Sequence, residues 1–208
     1  MEDTDILFNY KIVVVGDSDT GKTNLINRFV FDRYDDQIYH TYSSNFSNKR
    51  VKLYNEIDIN TNIWDTMGGE RYRSLLRIFL RYSQGIIIVY DISKKYTFES
   101  VRYYLDLIRD IDPNVIVGLV GNKIDIEFNS DYYYRREVTT EEGQEFAEDH
   151  NLLFYETSGK DAINVDEFFN DFIQRIFLND PEIKEINTTI NLNKTITNGR
   201  TPKRGCLK

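Results

Sequence analysis

The chain is poor in the residues that staple small folds together. Its 208 residues include a single cysteine, Cys206, which excludes a disulfide framework and a cysteine-based zinc site and suits a reducing compartment. Basic side chains are in deficit, 26 against 34 acidic, for a formal net charge of −8. A general nucleic-acid binder needs the opposite balance to neutralise phosphates. No apolar run approaches the roughly 18 residues of a membrane-spanning helix, and the acidic start Met1-Glu2-Asp3 is unlike a signal peptide. Internal repeats are also lacking. What is present is 40% hydrophobic residues, enough to bury a core, over a length that suits one domain with an appendage. The expectation is a soluble, cytoplasmic, single-domain protein.

Apolar residues come in short blocks. Tyr10 to Val15, Phe46 to Tyr54, Ile57 to Trp64, Gly85 to Tyr90, Val115 to Val120 and Leu152 to Tyr155 read as strands. Runs such as Ile86-Ile87-Ile88-Val89 suit strands covered on both faces. Helical stretches alternate with them: Lys22 to Phe31, Tyr72 to Tyr82, Phe98 to Ile111, Thr140 to Asp149 and Val165 to Phe177. In the last, Phe168, Phe169, Phe172, Ile173 and Ile176 form one apolar stripe, which reads as core packing. Alternation of this kind predicts an α/β fold with a mostly parallel sheet and helices on both faces. The short link Asn55-Glu56 predicts one antiparallel hairpin at the sheet edge. From Asn179 to Lys208 no amphipathic period persists, and Pro181 and Pro202 interrupt the stretch, so residues 1–178 are expected to form the domain and 179–208 a flexible tail.

The sharpest motif is Gly16-Asp17-Ser18-Asp19-Thr20-Gly21-Lys22-Thr23, which satisfies G-x-x-x-x-G-K-[ST] between a strand and a helix. Such a loop turns its backbone N–H groups toward phosphate oxygens beside a positive helix N-terminus. Lys22 would reach the β- and γ-phosphates, and the Thr23 hydroxyl would ligate Mg²⁺. Further on, Asn122-Lys123-Ile124-Asp125 follows a strand at its carboxyl end, where ligands sit in open α/β sheets. A carboxylate only accepts hydrogen bonds, so Asp125 can take two from guanine, at N1–H and the 2-amino group. Adenine offers neither.

Together with Trp64-Asp65-Thr66-Met67-Gly68-Gly69-Glu70, Gly85 to Asp91 and Glu156-Thr157-Ser158-Gly159-Lys160, these blocks resemble the Ras superfamily of small GTPases and, within it, the Rab family, over roughly Tyr10 to Phe177. The resemblance implies the small GTPase fold with a six-stranded sheet, and a GTP/GDP switch in vesicle and membrane traffic. It implies phosphate contacts at Asp19, Thr20, Gly21, Lys22, Thr23 and Asn24, with guanine contacts at Tyr34, Asn122, Lys123, Asp125, Ser158, Gly159 and Lys160. Mg²⁺ would be held by Thr23, by Thr41 and, through water, by Asp65, with Thr41 and Gly68 sensing the γ-phosphate. The residues implied in hydrolysis are Lys22, Thr41, Gly68 and Gly69. An exchange factor, an activating protein and effectors are implied at the switch regions, and no nucleic acid.

Four departures qualify that picture. Gly69 stands where the family has the glutamine that orients the attacking water. Without that side chain, intrinsic hydrolysis is expected to be slower by about one to two orders of magnitude. Met67 replaces a small alanine, a bulk expected to hinder Gly68. Asp19 puts a carboxylate on the phosphate loop, which weakens nucleotide binding unless it points to solvent. Switch I reads Thr41-Tyr42-Ser43-Ser44-Asn45-Phe46 rather than T-I-G-V-D-F, so partner identity does not carry over. In addition, Glu127 to Glu137 is longer than the usual Rab loop and carries Tyr132-Tyr133-Tyr134-Arg135-Arg136; it reads either as a contact site or as a plain surface loop.

At the end, Lys203-Arg204-Gly205-Cys206-Leu207-Lys208 does not meet the C-a-a-X pattern. Cys206 is either a single lipidation site, helped by Arg200, Lys203, Arg204 and Lys208 at an anionic endomembrane surface, or an unmodified thiol. The rival function is a nucleotide-loaded scaffold with little hydrolysis, controlled by exchange. A P-loop kinase is a weaker rival, because it gives the N-K-x-D block no role.

Overall fold

Alternation along the first strand sets the layers. The structure is a computed structural model that describes residues 8–37, 45–54, 57–69, 73–128 and 135–184. In β1 (Phe8–Val15), Tyr10, Ile12 and Val14 face one core while Val13 and Val15 face the other. This is the period of two that a strand buried on both faces requires. The sheet has six strands in the order β2-β3-β1-β4-β5-β6, with β2 (Asn45–Leu53), β3 (Ile57–Asp65), β4 (Gly85–Asp91), β5 (Ile116–Asn122) and β6 (Leu153–Thr157). All neighbours are parallel except β2 and β3, the expected edge hairpin.

On one face lie α1 (Lys22–Phe31) and α5 (Val165–Asn179); on the other lie α2 (Arg73–Leu80), α3 (Lys95–Ile111) and α4 (Thr140–Asp149). The α5 stripe is core: Phe168, Phe169, Phe172 and Ile173 are fully buried. Phe169 stacks on Phe29 of α1 with ring centroids 3.9 Å apart and planes 7° from parallel. Truncating such a ring costs about 3–5 kcal/mol, so this contact is a main tie between the two helices.

The boundaries depart from the sequence reading where side-chain caps intervene. Helix α3 starts at Lys95 rather than Phe98, since Thr97 turns its hydroxyl back to the carbonyls of Asp91 and Lys94 and the Lys95 N–H donates to Glu137. β5 extends to Asn122, and a 3-10 turn, Ile124–Phe128, follows it. The domain was expected to end at residue 178, yet Asn179 to Lys184 pack onto it. Pro181 opens a helical turn over residues 181–184 instead of interrupting the chain, a role its fixed φ suits. Asp180 caps that turn through the Glu182 N–H, and Tyr10 donates its phenol proton to Asp180 at 3.0 Å. Ile183 is buried against the α5 core. Thr41, the tyrosine run Tyr132 to Tyr134 and Cys206 lie outside the described residues. Among the described residues no helix is long and apolar enough to cross a membrane.

Candidate nucleotide-binding site

The site gathers at the carboxyl ends of β1, β3, β4, β5 and β6. Between β1 and α1 the loop turns back on itself, and Lys22 donates from Nζ to the carbonyls of Gly16 (3.0 Å) and Asp17 (2.7 Å). Burial pulls the Lys22 ammonium down to about 8, against the opposing pull of Asp65. The ammonium is thus held against the loop backbone, where phosphate oxygens would compete with the two carbonyls. Tyr104 of α3, itself buried, donates to Asp17 Oδ1 at 2.8 Å and fixes the loop from the side. Asp19 takes a left-handed conformation at φ 65° and is exposed, so water screens its charge.

Thr23 and Asp65 meet: the hydroxyl donates to Asp65 Oδ2 at 2.6 Å. The other oxygen, Oδ1, is buried with no hydrogen-bond partner among the described residues, and burial raises the carboxyl above its usual range. A hydroxyl and a carboxylate oxygen left without a donor fit Mg²⁺, a hard cation that takes few protein oxygens and keeps water and phosphate as the rest. Among the described residues no group of three or more His, Cys, Asp or Glu could hold a metal ion.

After β3, Thr66 donates to the Val14 carbonyl at 2.7 Å and holds the strand end against the phosphate loop. Gly68 lies directly on that loop, because a Cβ there would fall 2.6 Å from both Ser18 N and Ser18 Cα. Gly69 adopts φ 108°, a region L side chains rarely enter, and its Cβ would lie 3.3 Å from Ser18 Oγ. The missing glutamine is therefore more than a missing amide, since the backbone itself sits where a side chain is strained.

Asn122 is the hub of the base side. Its Nδ2 donates to the Thr20 carbonyl at 2.9 Å, and its Oδ1 accepts from Thr157 Oγ1 (3.1 Å) and the Gly159 N–H (3.3 Å). Asp125 Oδ1 accepts from Ser158 Oγ at 2.6 Å. Lys123, at φ 75°, pairs its ammonium with Asp91 Oδ2 at 2.8 Å. Tyr34 is partly exposed; burial, helped by a hydrogen bond to Asp36 and the nearby charges of Asp125 and Asp161, pushes its phenol up to about 12.

Two of the expected contact residues also make ties within the protein. The Asn24 side chain clamps the Asp35 backbone, donating to its carbonyl (3.0 Å) and accepting from its N–H (3.1 Å). Lys160 is exposed and offers its carbonyl to Arg28 Nη2 at 2.9 Å. Arg28 also donates to the Gly159 carbonyl at 3.0 Å, so α1 grips the 159–160 loop from behind. Arg28, Asp91 and Tyr104 carry such ties, and sequence reasoning gave none of them a role in the site. Asp91 had a signal in its place at the carboxyl end of a strand, and the structure adds its pairing with Lys123.

A model of the Ras family matches residues 11–178. The chain is similar to Ras-related protein RABA1e of Arabidopsis thaliana, 38% identical over 176 residues that span 84% of this chain and 78% of that protein. It is similar to GTP-binding protein ypt3 of Schizosaccharomyces pombe, 40% identical over 169 residues (81% and 76%). Ras-related protein Rab-11A of Dictyostelium discoideum is 38% identical over 169 residues, with the same coverage.

Proposed function

The chain belongs to the Ras superfamily of small GTPases, among the Rab proteins, and from that premise we propose that it is a GTP/GDP switch of membrane traffic whose own hydrolysis is slow. The observation that carries the slow rate is Gly69, which lacks a water-orienting side chain and sits at φ 108°. Guanine selection rests on Asp125, a half-buried acceptor fixed by Ser158.

Chemically, Lys22 supplies a fixed positive charge to the β- and γ-phosphate oxygens and so stabilises charge that builds up as the terminal bond breaks. Mg²⁺, held by Thr23 and Asp65 with Thr41 as the further ligand, would neutralise the same oxygens. Gly68, seated against Ser18, brings the segment after β3 to the γ-phosphate, so loss of that phosphate would release it. Partners would read the outer surface beside it. There Phe46 is 59% exposed and Ile78 67% exposed, next to the Phe46–Trp64–Phe79 ring contacts at 5.7 and 5.9 Å. Exposed apolar groups of this kind mark interaction surfaces. No water-orienting group follows from Gly69, so an activating protein would supply it. The Cys206 tail would attach the protein to the cytosolic face of endomembranes if lipidated.

Single-turnover hydrolysis of Mg²⁺·GTP by the purified chain tests the reading. The expected result is tight, guanine-selective binding with phosphate release slower by about one to two orders of magnitude than a positioned water allows. Fast release by the chain alone would remove the argument from Gly69, and a total lack of turnover would favour the scaffold.

A further inference from the structure

We propose that Arg136 is a positioning residue for guanine discrimination: it fixes the spacing between the turn that carries Asp125 and the loop that carries Ser158, and through them the aim of the Asp125 carboxylate. This rests on the reading of Asp125 as the guanine acceptor.

Arg136 spans the two base-side elements with one planar group. Its Nε donates to Glu127 Oε1 at 2.7 Å, and Nη1 and Nη2 take the two oxygens of Glu156 at 2.5 and 3.0 Å. Glu127 lies in the same 3-10 turn as Asp125, and Glu156 lies in β6 just before Thr157 and Ser158. The Val138 carbonyl and Thr140 Oγ1, the latter bonded to Glu156 Oε2, complete the network. With Arg136 and Glu156 side chains only 17% and 14% exposed, the pair is shielded from the screening that weakens surface ion pairs.

Alignment matters here because Ser158 already occupies Asp125 Oδ1. Guanine's N1–H and 2-amino group must approach the remaining lone pairs, and hydrogen bonds weaken steeply with angle. A shift of the turn relative to the loop tilts the carboxylate and loses the second bond first. The rigid fork of an arginine suits holding two carboxylates at a set distance, and a single ammonium does not.

The test uses the full chain loaded with fluorescent GDP or IDP at fixed Mg²⁺ and chased with unlabelled GDP. IDP lacks the 2-amino group, so the ratio of its release rate to that of GDP reads Asp125's second bond. Arg136→Lys keeps the charge but not the fork. It is expected to speed GDP release about tenfold while IDP release changes far less, so the ratio falls toward one. Glu127→Ala, at a 43% exposed side chain, removes the acceptor of Arg136 Nε, cuts only the link to the Asp125 turn and should move the ratio the same way without threatening the fold. Equal acceleration of both nucleotides in both variants, or no acceleration, overturns the proposal and leaves Arg136 a structural tie. A wild-type chain that holds ADP as tightly as GDP would instead sink the base reading itself, and this inference with it.

Discussion

Gly69 can be tested in two parts, because its backbone and its missing side chain make separate claims. Gly69→Ala adds a Cβ in a conformation at φ 108° with Ser18 Oγ 3.3 Å away. Holding an L residue in such a region costs about 1–3 kcal/mol. That corresponds to a shift of about five- to 150-fold toward other arrangements of the segment. Gly69→Gln carries the same backbone cost and adds an amide that can orient water, a contribution of about 10²-fold. In single-turnover phosphate release from preloaded Mg²⁺·GTP, Gly69→Ala should match wild type or run slower, and Gly69→Gln should exceed Gly69→Ala by one to two orders of magnitude. The ratio of the two variants isolates the amide, since the strain cancels. If alanine accelerates release as much as glutamine does, the glycine backbone is the brake and the reasoning from the missing side chain is refuted. Equal slowness in all three would place the block elsewhere, at Met67.

The Tyr90 hydroxyl is fully buried with no hydrogen-bond partner among the described residues, so Tyr90→Phe should raise the unfolding free energy in urea by about 1 kcal/mol; a loss of stability would mean the hydroxyl is satisfied. Tyr10→Phe removes the bond to Asp180 and should cost about 1 kcal/mol, with faster amide exchange confined to residues 179–184. Burial and Asp180 raise the Tyr10 phenol well above its usual range, so the difference should persist below pH of about 10 and disappear as alkali ionises the phenol. Asp91→Asn leaves Lys123, a third exposed, without its charge partner, and should speed GDP release about fivefold, or roughly 1 kcal/mol after solvent screening; unchanged release would show that Asp91 does not set the Lys123 position.

The fold was legible because its elements are strongly patterned. Unbroken apolar runs at Ile86 to Val89 and the aromatic period of α5 leave little choice of burial. Where the reading missed, a side chain or a distant contact had decided the matter. Pro181 reads as a breaker in isolation, but with Asp180 before it and Ile183 after it the same residue starts a turn. At the site, motifs named the residues that would touch nucleotide, because backbone N–H groups and fixed spacings carry that chemistry. They did not name the residues that hold those groups in place. Arg28 reaches Gly159, and Tyr104 reaches Asp17, across 131 and 87 positions of sequence; nothing in local spacing encodes such pairs. Nor does spacing reveal that Asn24 serves Asp35, since the partner is a backbone group that any residue supplies.

The Asn122 amide has a consequence for how affinity is composed. One side chain joins the phosphate loop, the end of β5 and the 157–159 segment, so the two halves of the ligand are sensed by a shared framework. On the proposed reading of the site, phosphate and base contacts would then be cooperative rather than additive. A nucleoside without phosphates meets a loosened base pocket, and a bare diphosphate meets a loosened loop, so the sum of the two fragment free energies falls short of that of the intact nucleotide by more than the entropy of tethering. A protein that pries at any one of the three segments loosens the grip on both ends of the ligand together.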